Sequence, residues 1–396
     1  VIRLRHALWA VVFGFFGLIS WSIYNYFFDL SLPVIVLQGI DNQATYAGDM
    51  QCTLSLSKKS EVAIVLDDML LTEKYIISAN DAHQFIIPTK TVSNGPHLLK
   101  IDITDTTFSR NKATIERNFF VDNQVLQAFL IGAEDVYKVF QGRTLHIQLQ
   151  ANKAIEKAVV QLFSHEYEFF PESTHSLVYE AFIPIQCEEV PNEYLVNIIV
   201  TDKIGNTVTL DHKVQVILFP FKKHSLQISE QKMQEEELLA ENNVNFEDIM
   251  QKLSDQSPRQ KLWKGTFCIP MDMTRITCEF GTVRTTQRKG RYAHKAIDAI
   301  NVPRSVVWAP QDGIIVLKKR FTYTGNTIVI DHGLGILTMV AHLEDFAKIE
   351  VGDKISKGNP LGTMGKTGYA SGYHLHWEMR IGNVAIDPMQ WTKPTF

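Results

Sequence analysis

The chain has 396 residues, 45% hydrophobic and 21% charged, a globular composition on a length too great for one ordinary core. A formal net charge of −4 with no dominant basic stretch excludes a nucleic-acid footprint, so no nucleic-acid partner is expected. Four scattered cysteines (Cys52, Cys187, Cys268 and Cys278) make no C-x-x-C pair, which argues against a cysteine zinc site or redox motif.

Residues 1–30 read as a membrane anchor. Ala7 to Phe28 carries no charge and is long enough to cross a ~30 Å hydrocarbon core as a helix. Arg3 and Arg5 precede it, so the N-terminus is expected inside and the bulk of the chain outside, as a single-pass protein of the cytoplasmic membrane with a periplasmic or extracellular body. A cleaved signal peptide is the rival, but the apolar stretch is long for one and no A-x-A-like site follows.

Residues 34–123 and 127–218 read as two all-β modules, with short alternating runs separated by turn signals such as Asn94-Gly95-Pro96. They look like an internal repeat: the run from His97 to Asp105 aligns with the run from Tyr194 to Asp202. Evenly spaced short strands in two copies predict two β-sandwich modules, which resemble bacterial immunoglobulin-like domains. They are expected to be spacers, or docking surfaces for other cell-envelope proteins, and carry no assigned chemistry.

Residues 225–262 predict a short helical linker. Phe246, Ile249, Met250 and Leu253 form an i, i+3, i+4, i+7 stripe, with Asn245 as its N-cap and the acidic run before it as a solvated face.

Residues 263–396 turn back to β, with frequent glycine, and carry the chemistry. His374-Leu375-His376, together with His294, Asp298 and His342, offers the donors of a zinc hydrolase: three protein ligands with a fourth position left to water. In a strand, His374 and His376 share a face while Leu375 and Trp377 take the other. His294 and Asp298 would stand roughly 13 Å apart in a regular strand, so their segment must bend for both to reach one ion. Ala296 between them must then be small. His342 ends a strand-like run. Cys268 and Cys278 flank another, and are read as a disulfide or as two buried thiols.

An ordered motif series runs through this domain: Glu279-Phe-Gly-Thr282, His294-x-x-x-Asp298, Ala309-Pro-Gln-Asp-Gly313, Gly325-Asn-Thr-Ile-Val-Ile330, His332-Gly333, Ala341-His-Leu343, Gly365-Lys-Thr-Gly368 and His374-Leu-His376. It resembles the lysostaphin/LytM-type zinc metalloendopeptidases, which cut the peptide cross-links of peptidoglycan. The resemblance implies an antiparallel β domain with Zn²⁺ held by His294, Asp298 and His376. It makes His342 and His374 the catalytic pair that orients and deprotonates the attacking water, and peptidoglycan peptide stems the substrate. The alternative it leaves is a non-catalytic module that binds wall or activates other wall hydrolases, which would normally show a broken ligand set. Two positions depart from the family pattern: Ala296 replaces a usual glycine, and Val340 replaces a usual tyrosine before Ala341, which puts one aromatic wall of the groove in doubt. The expected fold class is therefore mainly β and multidomain: a transmembrane helix, two immunoglobulin-like modules, a helical linker and the peptidase domain.

Overall fold

The computed structural model describes the chain apart from residues 1, 133, 226–245, 287–289 and 395–396; the side chains of residues 2–11, 25, 225, 286 and 290 also lie outside the description. Two compact units emerge, one of Val1–Val125 with Lys203–Gly205 and one of Leu126–Asp202 with Asn206–Phe396.

The first unit opens with a helix, Ile2–Phe28. Among the described residues no helix is long and apolar enough to cross a membrane; the stretch singled out in the sequence extends into residues whose side chains lie outside the description. A two-sheet sandwich follows. Its five-stranded sheet runs in the order Thr45–Tyr46, Lys112–Val121, Gly95–Asp105, Ser60–Leu66, Met69–Ile77, and Ile35–Gln38, Met50–Leu56 and Ala82–Ile87 form the other sheet. Alternating burial along Ser60–Leu66 sends Val62, Ile64 and Leu66 into the shared core.

The second unit begins with the same design. Tyr137–Phe140, Thr207–Ile217, Glu193–Asp202, Ile155–Leu162 and His165–Glu168 lie in the equivalent order, and in both sheets the first pair of strands is parallel. The repeat read in the sequence occupies matching strands, and its closing aspartates have matching work. Asp105 accepts the backbone N–H of Asn111, and Asp202 accepts that of Asn206, so each satisfies the turn that follows its strand.

This second module packs directly on the C-terminal domain. Phe182 packs with Trp263, Phe267 and Trp391 of the C-terminal domain in one core, Trp391 Nε1 donates to Thr144 Oγ1 at 3.1 Å, and Lys261 bonds Glu180 at 2.7 Å. Arg143 pairs with Asp387 across the same junction. Helical structure in the linker is confined, among the described residues, to Phe246–Asp255; Asn245 and the acidic run lie outside the description. Its stripe is real. Met250 is fully buried against Val329, Leu337 and Met339, with Phe246 and Leu253 beside it.

The C-terminal domain is built on an antiparallel sheet in the order Arg275–Cys278, Ile297–Ile300, Leu375–Ile381, Ile336–Phe346, Gly325–Asp331, Gly313–Phe321, Lys354–Ile355. Strand alternation divides its two faces. Ile297, Ile328, Ile330, Val340, Leu375 and Trp377 point into the main core, whereas residues on the opposite face meet the helix Phe246–Asp255 and, further along, an open cleft.

Candidate metal centre

Three strands deliver the site. Asp298 sits opposite His376 in the register of Ile297–Ile300 with Leu375–Ile381, so the two side chains share a face. His376 Nδ1 lies 3.0 Å from Asp298 Oδ1. His294 precedes Asp298 across the bend expected from the sequence. The chain leaves the strand Gly290–Ala293, turns at 294–296 over the buried Ala296, and re-enters the sheet at Ile297. That bend carries His294 Nε2 to 3.0 Å from Asp298 Oδ2.

Donors bound at ~2.0–2.2 Å to one tetrahedral ion stand roughly 3.4 Å apart, and the His294–Asp298 and His376–Asp298 contacts, each 3.0 Å and each to a different carboxylate oxygen, are near that spacing. His294 Nε2 is also buried and makes no hydrogen bond, although it faces Asp298. A buried imidazole nitrogen with a carboxylate oxygen 3.0 Å away as its polar neighbour is the setting a ligand position requires.

The electrostatics of the three residues differ. Burial disfavours the Asp298 carboxylate, but the imidazoles of His294 and His376 outweigh it and hold Asp298 far below the usual carboxylate range. Burial lowers the basicity of His294 more than Asp298 raises it, which keeps the ring neutral and its lone pair available. Burial also opposes a charge on His376, yet the hydrogen bonds to Asp298 and Glu378 bring its imidazole up to about 9.

Glu378 is a residue the sequence reading missed. Two positions beyond His376 on the same face, it stands 3.4 Å from Nε2, so His376 presents Nδ1 to the site and Nε2–H to a carboxylate. Arg380, two positions further and buried, bonds Glu378, and with His376 it holds that carboxyl down at about 2 despite burial. Arg284 bonds Asp298 Oδ2 at 3.1 Å and is only partly exposed.

His342 and His374 line the open side, their rings 4.7 Å apart and His342 5.9 Å from His376. Each has its Nδ1–H donated to a carbonyl, His342 to Thr367 at 2.8 Å and His374 to Gly372 at 2.9 Å, which leaves both Nε2 atoms as acceptors. His374 Nε2 is 4.0 Å from Asp298 Oδ1. His342 does not end its strand, as the sequence pattern suggested. The strand runs on to Phe346, and the step from Ile328↔Val340 to Asn326↔Leu343 inserts one extra residue. This is a β-bulge, and His342 adopts a φ of +60° within it. Bulges of this kind re-aim a side chain beside an active site. Burial and the two neighbouring histidines push His342 down to about 4.

The sequence reading did not place Cys278 here. Cys268 and Cys278 are both free thiols, which settles the disulfide alternative against pairing. Cys278, His294 and Asp298 bring one donor atom each within 4.8 Å of one another. Val340 proves irrelevant to the groove because its side chain is in the core. Stacked Tyr323 and Tyr369, with ring centroids 5.4 Å apart, supply an aromatic wall instead. The cleft over the centre measures about 1100 Å³. His332, by contrast, is a structural residue, with Nδ1 bonded to the Asp312 carbonyl and Nε2 to Thr338 Oγ1 in a fully buried position.

An antiparallel sheet that brings His294 and His376 to the carboxylate of Asp298, with His342 and His374 beside them, is the setting of a metallopeptidase type of domain. Residues 292–388 match Peptidase family M23, and the C-terminal domain is an M23 peptidase domain. It is similar to the DD-carboxypeptidase/endopeptidase Mpg of Neisseria meningitidis serogroup B, 35% identical over 133 residues, which are 33% of this chain and 30% of that protein. It is likewise similar to the peptidoglycan DD-endopeptidase ShyA of Vibrio cholerae, 31% identical over 121 residues, 30% of this chain and 28% of the relative. The chain thus spans less than a third of the length of these relatives. Among solved structures, the catalytic domain of the antimicrobial peptidase lysostaphin from Staphylococcus simulans aligns at 22% identity and a TM-score of 0.25, covering 36% of this chain and 96% of that one.

Proposed function

We propose that this protein is a zinc-dependent endopeptidase that hydrolyses the peptide cross-links of peptidoglycan. The observation that carries the reading is that His294 and His376 each stand 3.0 Å from the Asp298 carboxylate, with His294 Nε2 buried. Zn²⁺ held by these three residues would polarise the scissile carbonyl and lower the pKa of an attacking water. The protein's own groups do the rest. His342 and His374 present two Nε2 acceptors on the open side, positioned to take the proton of that water and pass it to the leaving amine. Glu378 orients His376, and the wall of Tyr323 and Tyr369 borders the peptide's path. The relatives named DD-endopeptidases support a D,D-peptide bond as the target. The complete ligand set argues against a module that only binds wall or activates other hydrolases.

The uncharged stretch Ala7–Phe28, the two arginines before it and the helix Ile2–Phe28 support a location at the outer face of the cytoplasmic membrane, with the β modules between anchor and wall. The reading is tested with purified chain on isolated sacculi. Metal analysis should find about one zinc per chain, and mass spectrometry of the products should show cross-linked muropeptides resolved into monomers. His376→Ala should lose both; cleavage that survives this substitution rejects the assignment.

A further inference from the structure

We propose that Cys278 is a fourth protein ligand for the same ion, so that the resting site is closed by a thiolate rather than by water. The proposal rests on the metallopeptidase reading above and adds a donor from a strand that reading does not use.

The argument starts from strand register. Cys278 is paired with Asp298, and Asp298 with His376, so the three residues form one row across the strands Arg275–Cys278, Ile297–Ile300 and Leu375–Ile381. Directly opposed residues in neighbouring strands project to the same face. The sulfur accordingly stands beside two of the donors already described, within 4.8 Å of both His294 and Asp298, and its S–H donates to the Glu279 carbonyl at 3.8 Å. Cys278 is buried and makes no disulfide. Arg284 lies against both the sulfur and Asp298 Oδ2, which ties the two donors to one another from behind. Cys278 also lines the cleft into which the two histidine pairs project.

Two imidazoles, one carboxylate and one thiolate make a tetrahedral zinc set with no open position, the arrangement of structural rather than catalytic sites. Thiolate is also the softest donor present, and it favours zinc and cobalt over magnesium or calcium. Binding forms the sulfur–metal bond, and the thiol proton leaves to solvent. Catalysis then requires the sulfur to yield its position to water, so Cys278 acts as an internal competitor of the nucleophile. The other cysteines have no such role. Cys52 is in the core of the first sandwich, Cys187 in the main core of the second unit, and Cys268 faces the Ala309 carbonyl.

The test uses the full chain loaded with Co²⁺. The wild type should show the near-ultraviolet sulfur-to-cobalt charge-transfer band beside the visible bands of a tetrahedral ion. Cys278→Ser should abolish the charge-transfer band while keeping bound cobalt, and Cys268→Ser should leave it unchanged. In chelator competition, Cys278→Ser should bind zinc at least about tenfold more weakly, since even outer partners of ligands cost that much. At saturating zinc, its turnover should rise. A cobalt-loaded wild type without the charge-transfer band overturns the proposal, even where Cys278→Ser does not fold, and so does a band that survives in Cys278→Ser. Either result leaves the peptidase reading standing, because cobalt is bound. A chain that takes up neither cobalt nor zinc rejects both.

Discussion

Glu247 and Arg380 form a two-point ion pair that joins the helix Phe246–Asp255 to the sheet beneath the metal centre. Both terminal nitrogens of Arg380 meet the Glu247 carboxylate, one of them at 3.1 Å. Through its Nε, Arg380 also holds Glu378, and Glu378 holds His376. The chain of contacts runs from a helix outside the matched family segment to His376.

Loosening this chain should weaken metal binding without touching a ligand. Glu247→Gln keeps the shape but gives up the charge, and zinc affinity measured by chelator competition should fall by about tenfold, in the range typical of outer partners of metal-bound histidine. Arg380→Leu is expected to be more damaging because it strips buried Glu378 of its guanidinium partner and leaves it only His376, a cost of up to about 3–5 kcal/mol in urea unfolding. Unchanged zinc affinity in Glu247→Gln would show that the helix only covers apolar surface.

His342 should separate chemistry from metal binding. It projects from a bulge, is no part of the ligand triad, and points an unprotonated Nε2 at the open side. His342→Ala is expected to retain bound zinc and to lose turnover by about 10²–10⁴-fold, the usual contribution of a positioned acid–base group. Loss of zinc in this variant would make His342 a ligand instead.

Gly325 supports the same histidine from a distance. Its φ is +65°, and an added Cβ would stand 2.3 Å from the Thr367 carbonyl oxygen that accepts from His342 Nδ1. Gly325→Ala must push that carbonyl away or distort the turn. Zinc content should stay near the wild-type level while turnover falls, and a crystal structure or the pH profile of cleavage should report a reoriented His342. Wild-type activity in this variant would mean that the carbonyl does not set the ring.

Much of this site was legible in the sequence because strand alternation is strict. His374-Leu375-His376 predicts two histidines on one face and Leu375 in the core, and the fully buried Leu375 and Trp377 agree. The need for a bend between His294 and Asp298 followed from strand rise alone. What stayed hidden depends on register and on long-range pairing. Nothing local marks Cys278 as the neighbour of Asp298, since that depends on how two strands align. Glu247 and Arg380 are 133 positions apart. The bulge at His342 adds one residue to one strand only, and no periodicity in a single strand reveals its partner's count. The packing of the second module on the C-terminal domain stayed hidden for a similar reason: Phe182 reads as an ordinary strand residue until Trp263 and Trp391 fold against it.

His332 sets a pH limit on stability that is independent of the metal. Burial pushes it down to about 4 from an ordinary value of 6.5, so the folded protein keeps it neutral where the unfolded chain would protonate it. The sign follows. Above pH 6.5 both states are neutral at this position and the stability is fully present. As pH falls from 6.5 towards 4 the unfolded state takes up a proton that the folded state refuses, and stability declines, by about 3 kcal/mol over the whole interval. Below about 4 the folded ring protonates too and the loss levels off. His332→Gln, which keeps a polar group between the Asp312 carbonyl and Thr338, should show a shallower fall in its urea midpoint between pH 6.5 and 5 than the wild type. Both proteins are compared at saturating zinc, so titrations elsewhere cancel in the difference. Parallel pH curves for the two would mean that the buried imidazole is not what limits stability in mild acid.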